Sequence, residues 1–184
     1  PLCSQPAEVP FVIRSFLLLM LPISTAAVAE VTDLPTGGFE ISHEIVVPGT
    51  PETAWDEFTG DVSGWWDHTH SESPAELVIE GRPGGHFYER FDERGNGAIH
   101  ADIIFADRGR KLVMDGPLGF SGHPLDLVCT IEFSPEGADR VRVKATCRAA
   151  GELQEGWADA VDRVWHHFLV EQFKAWMEDL AHGG

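Results

Sequence analysis

The sequence predicts a single α+β domain in which a curved antiparallel sheet of about six to seven strands wraps around one long C-terminal helix. Three observations predict it. Residues 39–149 alternate between apolar and polar side chains in short runs separated by turns, as a sheet with one solvated face requires. Residues 155–180 repeat apolar side chains at intervals of three and four, the period of an amphipathic helix. Gly84-Gly85 opens an aromatic strand and marks a sharp backbone bend.

Length and charge limit the classes of partner. The chain has 184 residues, of which 43% are hydrophobic, enough for one domain with its own core. Thirteen Lys and Arg residues face 30 Asp and Glu residues, and the formal net charge is -17. Such a surface repels phosphate backbones and anionic lipids. We therefore expect no nucleic-acid partner and no stable membrane insertion of the mature domain.

The N-terminus has the pattern of a secretory signal peptide. Arg14 precedes a short apolar run at 15–23, and Ala27-Val28-Ala29 supplies the small residues of a cleavage site. A spurious upstream translation or a membrane anchor is the alternative. A signal peptide implies an exported or periplasmic protein, and its absence a cytoplasmic one. The predicted division is a signal peptide or N-terminal extension at 1–29, a linker at 30–38 and the folded domain at 39–182.

The first elements follow from alternation and capping chemistry. The strand predicted at 39–47 has one face formed by Phe39, Ile41, His43, Ile45 and Val47. The Thr50 hydroxyl can cap a helix that begins at Pro51. Proline suits the first helical position because it has no backbone amide that would need a partner there. This helix ends at Gly60, and residues 61–66 predict a second short helix.

The rest of the chain predicts a run of strands followed by the terminal helix. Further strands are expected at 75–80, 86–91, 98–105, 111–114, 125–133 and 140–149. The apolar stripe of the helix at 155–180 consists of Trp157, Val161, Val164, Trp165, Phe168, Leu169, Phe173, Trp176 and Leu180. This stripe is expected to cover the apolar face of the sheet.

Two cysteines lie on the inward face of the last hairpin. If Phe133 faces Val141, then Cys129 faces Ala145 and Cys147 is its diagonal neighbour. That separation is marginal for a disulfide. Export would favour oxidation, but we predict two free thiols that pack as small hydrophobic groups.

A carboxylate and an imidazole are candidates for polar chemistry. If the turn at 92–97 closes its hairpin symmetrically, Glu89 faces His100. The shared face would then be Phe87, Glu89, Phe91, His100 and Asp102. Such a pair can move a proton or anchor a polar ligand group. A bulge in the hairpin would separate the two side chains, and a salt bridge at the rim is the structural alternative.

The remaining histidines carry weaker signals. His68 and His70 in Asp67-His68-Thr69-His70 resemble a fragment of a metal site, but no third ligand is fixed by spacing and we favour a polar loop. His166 and His167 are expected on the surface of the terminal helix. We predict no cofactor and no metal.

Several motifs in order resemble the START-like, or SRPBCC, superfamily, and within it the branch named after the activator of a heat-shock chaperone's ATPase. The motifs are Ile-Ser-His-Glu-Ile-Val-Val at 41–47, Thr-Pro-Glu-Thr-Ala-Trp at 50–55, Gly-Trp-Trp at 64–66, Gly-Arg-Pro-Gly-Gly-His-Phe at 81–87 and Ala-Asp-Arg-Gly-Arg-Lys-Leu-Val at 106–113. The resemblance covers about 39–180. It implies a helix-grip fold with a cavity between sheet and helix for a hydrophobic ligand, in a superfamily that also includes lipid carriers and polyketide cyclases.

We therefore predict a protein that binds a small hydrophobic or amphipathic molecule in such a cavity. The expected wall residues are Trp66, His70, Phe87, Glu89, His100, Met114, Trp157, Trp165 and Phe168. Two alternatives remain open. One is a cyclase- or aromatase-type enzyme in which Glu89 and His100 move protons, and the other is an interaction protein that activates a chaperone ATPase if the chain is cytosolic.

Overall fold

The structure, a computed structural model, describes residues 36–183, so the predicted signal peptide lies outside the described residues. The elements are β1 (Thr36–Pro48), α1 (Pro51–Phe58), β2 (Gly60–Asp61), β3 (Glu76–Ile79), β4 (His86–Arg90), β5 (Gly97–Asp107), β6 (Lys111–Asp115), β7 (Leu125–Pro135), β8 (Arg140–Glu152), α2 (Trp157–Trp165), a π-helical segment (His166–Phe173) and α3 (Lys174–Ala181). The predicted α+β helix-grip architecture is confirmed.

One antiparallel sheet contains all eight strands of the described region, in the order β1-β8-β7-β6-β5-β4-β3-β2. The additional strand is β2, whose two residues pair with β3. The second short helix predicted at 61–66 is wrong. The Val62 amide donates to the Leu77 carbonyl oxygen at 3.0 Å and so connects this segment to the sheet. Only a single turn remains, in which the Trp65 and Trp66 amides both donate to the Val62 carbonyl oxygen.

Helix α1 begins as predicted. The Thr50 hydroxyl accepts the Thr53 amide at 3.2 Å, and the Thr53 hydroxyl accepts the Thr50 amide at 2.8 Å. This reciprocal cap satisfies two amides at the helix N-terminus, and Pro51 needs no partner there. The helix buries Ala54, Trp55 and Phe58 as expected.

The C-terminal helix contains a π-helical segment of eight residues, His166–Phe173. Trp165, Leu169 and Phe173, each four residues apart, share one face and are all buried. The apolar face then continues to Met177, while Leu180 is 42% exposed. The prediction that Leu180 belongs to the buried stripe is therefore wrong. No helix of the described residues is long and apolar enough to cross a membrane.

The prediction of two free thiols is also wrong. Cys129 and Cys147 face each other directly across β7 and β8 and form a disulfide, with Cα atoms 4.1 Å apart. The turn between the two strands is centred one residue later than expected, so Phe133 pairs with Val143 rather than with Val141. That displacement moves the partner of Cys129 by two positions.

The register of the β4–β5 hairpin differs from the prediction as well. Glu89 pairs with Ala98, and His100 is an extra residue of β5 at a β-bulge. Phe87 pairs with Ala101, and both His100 and Ala101 are buried on the inner face. A bulge places two residues opposite one in this way.

The bulge reverses the alternation that follows it. Asp102, predicted to share the inner face, is instead exposed, and its Oδ1 lies 2.8 Å from Nδ1 of His86. Phe91 is half-buried and its ring approaches that of His70, with centroids 6.4 Å apart.

Candidate ligand cavity

A cavity of about 540 Å³ lies between the sheet and the C-terminal helix. Its aromatic walls are Trp66, Phe87, Phe120, Trp165 and Phe168, and its aliphatic walls include Leu118, Leu127, Val161 and Val164. Polar side chains reach it from the segment that follows Trp66, namely Asp67, His68, Thr69 and His70, and from His100 on β5. The lining is therefore mostly apolar with one polar sector.

The Trp66 indole forms the centre of the aromatic wall. Its ring stacks on Phe168 with centroids 3.6 Å apart, and Phe87 meets it edge-on at 4.8 Å. The indole N–H donates to the His68 carbonyl oxygen at 3.0 Å, so its polar atom is satisfied within the same segment. This bond connects the wall to the polar loop.

Glu89 lies beneath the cavity and holds that loop in place. Its side chain is buried, and its two oxygens accept the backbone amides of His70 at 2.8 Å and Ser71 at 2.7 Å. Hydrogen bonds to a carboxylate are stronger than neutral ones. Glu89 is therefore a residue that positions His70, and it is absent from the cavity wall.

His100 is the buried polar group of the cavity wall. Its ring stacks on His70 with centroids 5.3 Å apart and contacts Phe87 at 4.7 Å. Nε2 lies 3.5 Å from a Glu89 oxygen, at the limit of hydrogen-bond distance, and it makes no closer polar contact within residues 36–183. A buried nitrogen that makes no close hydrogen bond carries a free-energy cost.

The environment of His100 favours the neutral imidazole. Burial lowers the pKa of His100 and the nearby His70 lowers it further, whereas the Glu89 carboxylate acts in the opposite direction with a smaller effect. A neutral imidazole offers one donor and one acceptor. It can therefore hydrogen-bond either a hydroxyl or a carbonyl group.

A second polar cluster lies where the loop meets the C-terminal helix. Asp67 contacts Nδ1 of His68 at 2.7 Å and Nε2 of His167 at 2.9 Å, and Nδ1 of His167 lies 2.8 Å from Glu171. The carboxylates of Glu171 and Asp67 raise the pKa of His167. Burial alone would raise the pKa of Asp67, but its hydrogen bonds to His68 and His167 lower it. Asp67, His68 and His167 are the described residues arranged so that they could hold a metal ion.

Six of the nine wall residues expected from the sequence line the cavity: Trp66, His70, Phe87, His100, Trp165 and Phe168. Three do not. Glu89 is beneath the loop, and Met114 is fully buried within the sheet, opposite Cys129. Trp157 packs on Phe120, with ring centroids 4.6 Å apart, and so supports the wall from outside.

Sequence reasoning missed the wall that the loop between β6 and β7 provides. Leu118 and Phe120 line the cavity, and both lie in the Gly- and Pro-rich segment 116–123, between the strands predicted at 111–114 and 125–133. The Leu118 amide donates to the His100 carbonyl oxygen at 3.0 Å, which anchors the loop beside the bulge. Two large apolar residues among the glycines were the signal that this loop packs against something.

Comparisons with known proteins agree with this architecture. A family model described as Activator of Hsp90 ATPase homolog 1-like protein matches residues 49–178. None of the curated proteins matches the chain. Among solved structures, SA2116 of Staphylococcus aureus, a protein of unknown function, is 12% identical with a TM-score of 0.61, over 81% of this chain and 98% of that one.

Two further structures share the fold at low identity. CalU16 from Micromonospora echinospora is 19% identical with a TM-score of 0.52, over 80% of this chain and 84% of its own. The Aha1 dimer from Colwellia psychrerythraea is 17% identical with a TM-score of 0.53, over 76% of this chain and 96% of its own. The resemblance predicted from the motifs is confirmed: this chain belongs to the family of Activator of Hsp90 ATPase homolog 1-like proteins, within the START-like (SRPBCC) superfamily.

Proposed function

We propose that this protein binds a small hydrophobic or amphipathic molecule in the cavity beneath its C-terminal helix. The observation that carries the proposal is an aromatic-lined cavity whose wall contains one buried imidazole, that of His100. The volume of about 540 Å³ lies within the range of about 300–1,000 Å³ typical of small-molecule sites. Apolar walls with few polar groups are the usual composition of such sites.

The charges around His100 select the polar group of the ligand. Glu89 places a buried carboxylate 3.5 Å from Nε2 of His100, and the chain as a whole carries a formal charge of -17. An anionic ligand group would be repelled. A neutral imidazole favours a neutral hydroxyl or carbonyl instead. The preferred ligand is therefore an apolar molecule with one hydroxyl or carbonyl group rather than an anionic one.

The geometry favours binding over cyclase- or aromatase-type catalysis. That reaction would require Glu89 and His100 to exchange protons with a substrate in the cavity. Both Glu89 oxygens already accept backbone amides, and the side chain does not line the cavity. His100 remains available as a hydrogen-bonding group.

We further propose an oxidising compartment as the site of action. The Cys129–Cys147 disulfide is of a kind that persists in exported proteins and is rare in the cytosol. It agrees with the signal-peptide pattern at 1–29. Activation of a chaperone ATPase, the activity in the family's description, would instead require a cytosolic chain. N-terminal sequencing of the mature protein distinguishes these locations.

Binding can be tested with two probes that differ by one hydroxyl, 2-naphthol and naphthalene. We expect both to bind, as measured by quenching of tryptophan fluorescence. Val164→Trp should abolish both because Val164 lines the cavity, whereas Arg163→Trp, on the exposed face of the same helix, should not. His100→Leu should weaken 2-naphthol about tenfold, the loss of roughly one hydrogen bond, and leave naphthalene unchanged.

The result against the proposal would be equal binding by the wild type and Val164→Trp, or no binding of either probe. Native mass spectrometry of the purified protein provides a second check, because a bound lipid or aromatic molecule would appear as a mass increment. Loss of discrimination between the probes in His100→Leu would support the assigned role of His100.

A further inference from the structure

We propose that Asp67, His68 and His167 form a binding site for a divalent transition metal ion of the zinc type at the edge of the cavity. The three side chains come from two elements, the loop after Trp66 and the π-helical segment. Their ligand atoms all lie within 4.8 Å of one another. This departs from the sequence prediction of no metal, which lacked a third ligand for the Asp67-His68 fragment.

The existing contacts hold the ligand atoms directly against one another, and the Gln172 side-chain amide also donates to Asp67 Oδ2 at 3.0 Å. Asp67 Oδ1 is 2.7 Å from Nδ1 of His68, and both Asp67 oxygens are 2.9 Å from Nε2 of His167. The two imidazole rings have centroids 5.1 Å apart. Zinc ligands lie about 2.0–2.2 Å from the ion, so ligand atoms in a tetrahedral site are roughly 3.4 Å apart. An ion would therefore replace these hydrogen bonds and move the ligand atoms roughly 0.5–0.7 Å further apart.

The far side of His167 has the support that metal-binding histidines usually have. Its Nδ1 lies 2.8 Å from Oε2 of Glu171, one helical turn further along. A carboxylate on the second nitrogen fixes the ring orientation and favours the tautomer in which Nε2 is unprotonated, so that Nε2 could bind an ion in place of its present contact with Asp67. Glu171 is therefore a positioning residue, and it does not itself coordinate the ion.

The donor set selects the ion by its chemistry. Two imidazoles and one carboxylate suit Zn²⁺ and related ions such as Co²⁺ and Ni²⁺, whereas Ca²⁺ and Mg²⁺ prefer oxygen ligands. Three protein ligands would leave a further position for water or another molecule, as in catalytic zinc sites.

The site is distinct from the wall that holds the proposed ligand, but adjacent to it. Asp67 and His68 also line the cavity, whereas His167 does not. An ion held by this triad would therefore sit at the cavity's edge. The metal site is inferred from its own residues and does not depend on the proposed ligand.

Another His–carboxylate contact of the described chain provides a matched control. Nδ1 of His86 lies 2.8 Å from Oδ1 of Asp102, and both side chains are exposed. This pair does not belong to a group of three potential ligands in the described residues. If metal binding reflected only exposed histidines on an acidic protein, His86 would contribute as much as His167.

The test uses the full chain without an affinity tag, stripped with EDTA and dialysed. We expect Zn²⁺ titration by calorimetry to give one strong site per chain, and Co²⁺ to give the visible absorption of a four-coordinate complex. His68→Ala and His167→Ala should each abolish both signals, and Glu171→Gln should weaken Zn²⁺ binding about tenfold or more. His86→Ala should bind as the wild type does.

Three results would overturn the proposal: no saturable Zn²⁺ binding by the wild type, wild-type binding by His167→Ala, or loss of binding in His86→Ala. Circular dichroism of each variant checks folding. If an alanine variant does not fold, His68→Gln and His167→Gln remove the imidazole while keeping a polar side chain of similar size, and the same losses are expected of them.

Discussion

Glu89→Gln tests whether the buried carboxylate holds the polar loop of the cavity. Each Glu89 oxygen accepts one backbone amide, from His70 at 2.8 Å and from Ser71 at 2.7 Å. A glutamine can accept only one of them, and its NH₂ group would then face the other N–H donor. The substitution therefore removes one charge-assisted bond and leaves a buried donor without a partner.

The magnitude follows from those two losses. A hydrogen bond to a charged group contributes about 1.5–3 kcal/mol, and an unsatisfied buried donor costs about 1–3 kcal/mol. Removing a buried charge offsets part of this sum, since its desolvation is no longer required. We expect the free energy of unfolding to fall by roughly 3 kcal/mol. The domain should still fold, because typical stabilities are about 5–15 kcal/mol.

Urea unfolding followed by tryptophan fluorescence measures the loss, and hydrogen exchange locates it. The amides of His70 and Ser71 should lose protection in Glu89→Gln. Glu93→Gln is the control because that side chain is 88% exposed, and it should change stability by less than about 0.5 kcal/mol. A Glu89→Gln protein as stable as the control, with both amides still protected, would refute the reasoning.

Two further predictions concern pH and redox state. Burial and the nearby His70 lower the pKa of His100, and the Glu89 carboxylate opposes them with a smaller effect. The contribution of His100 to stability is therefore full above about pH 6.5 and is lost as pH falls through the folded-state pKa. The free energy of unfolding of His100→Gln should depend less on pH in that range than that of the wild type, and an equal dependence would contradict the prediction. The Cys129–Cys147 disulfide joins cysteines 18 residues apart, and its reduction should lower the free energy of unfolding by roughly 3 kcal/mol. In a variant with both cysteines replaced by alanine, dithiothreitol should leave the free energy of unfolding unchanged.

Local chemistry explains which elements could be predicted from the sequence. The first helix was predicted correctly because Thr50 and Pro51 determine its start through their own backbone and side-chain chemistry. The strands were found for a similar reason, since alternation is a property of each segment. The π-helical segment was missed because its apolar residues repeat at three and four like those of an α-helix.

Long-range features were harder to predict because small local errors are multiplied across a hairpin. A turn centred one residue away from its predicted place changes every partner by two positions, and this alone hid the direct pairing of Cys129 with Cys147. The proposed metal site could not be predicted for a different reason. The third residue of that site, His167, follows Asp67 by 100 residues, and no spacing rule connects a loop to a helix at that distance.

The bulge at His100 reconciles two hydrophobic patterns that a regular strand could not satisfy together. Before it, Ala98 and His100 belong to the inner face; after it, Ala101 and Ile103 do. A regular strand that buried His100 would expose Ala101 and Ile103 and bury Asp102, because alternation has a period of two. The extra residue allows His100 to reach the cavity while Ile103 stays in the core.

The glycine pair that opens β4 completes this arrangement. The Gly84 amide donates to the Ile103 carbonyl oxygen at 2.8 Å, and the Ile103 amide donates to the Gly85 carbonyl oxygen at 2.8 Å. A Cβ on Gly85 would lie 2.7 Å from the Cβ of Glu80, so only glycine fits there. Gly84 and Gly85 therefore extend the hydrogen bonding with β5 beyond the bulge. By fixing the strand beyond His100, it fixes the direction in which the imidazole enters the cavity.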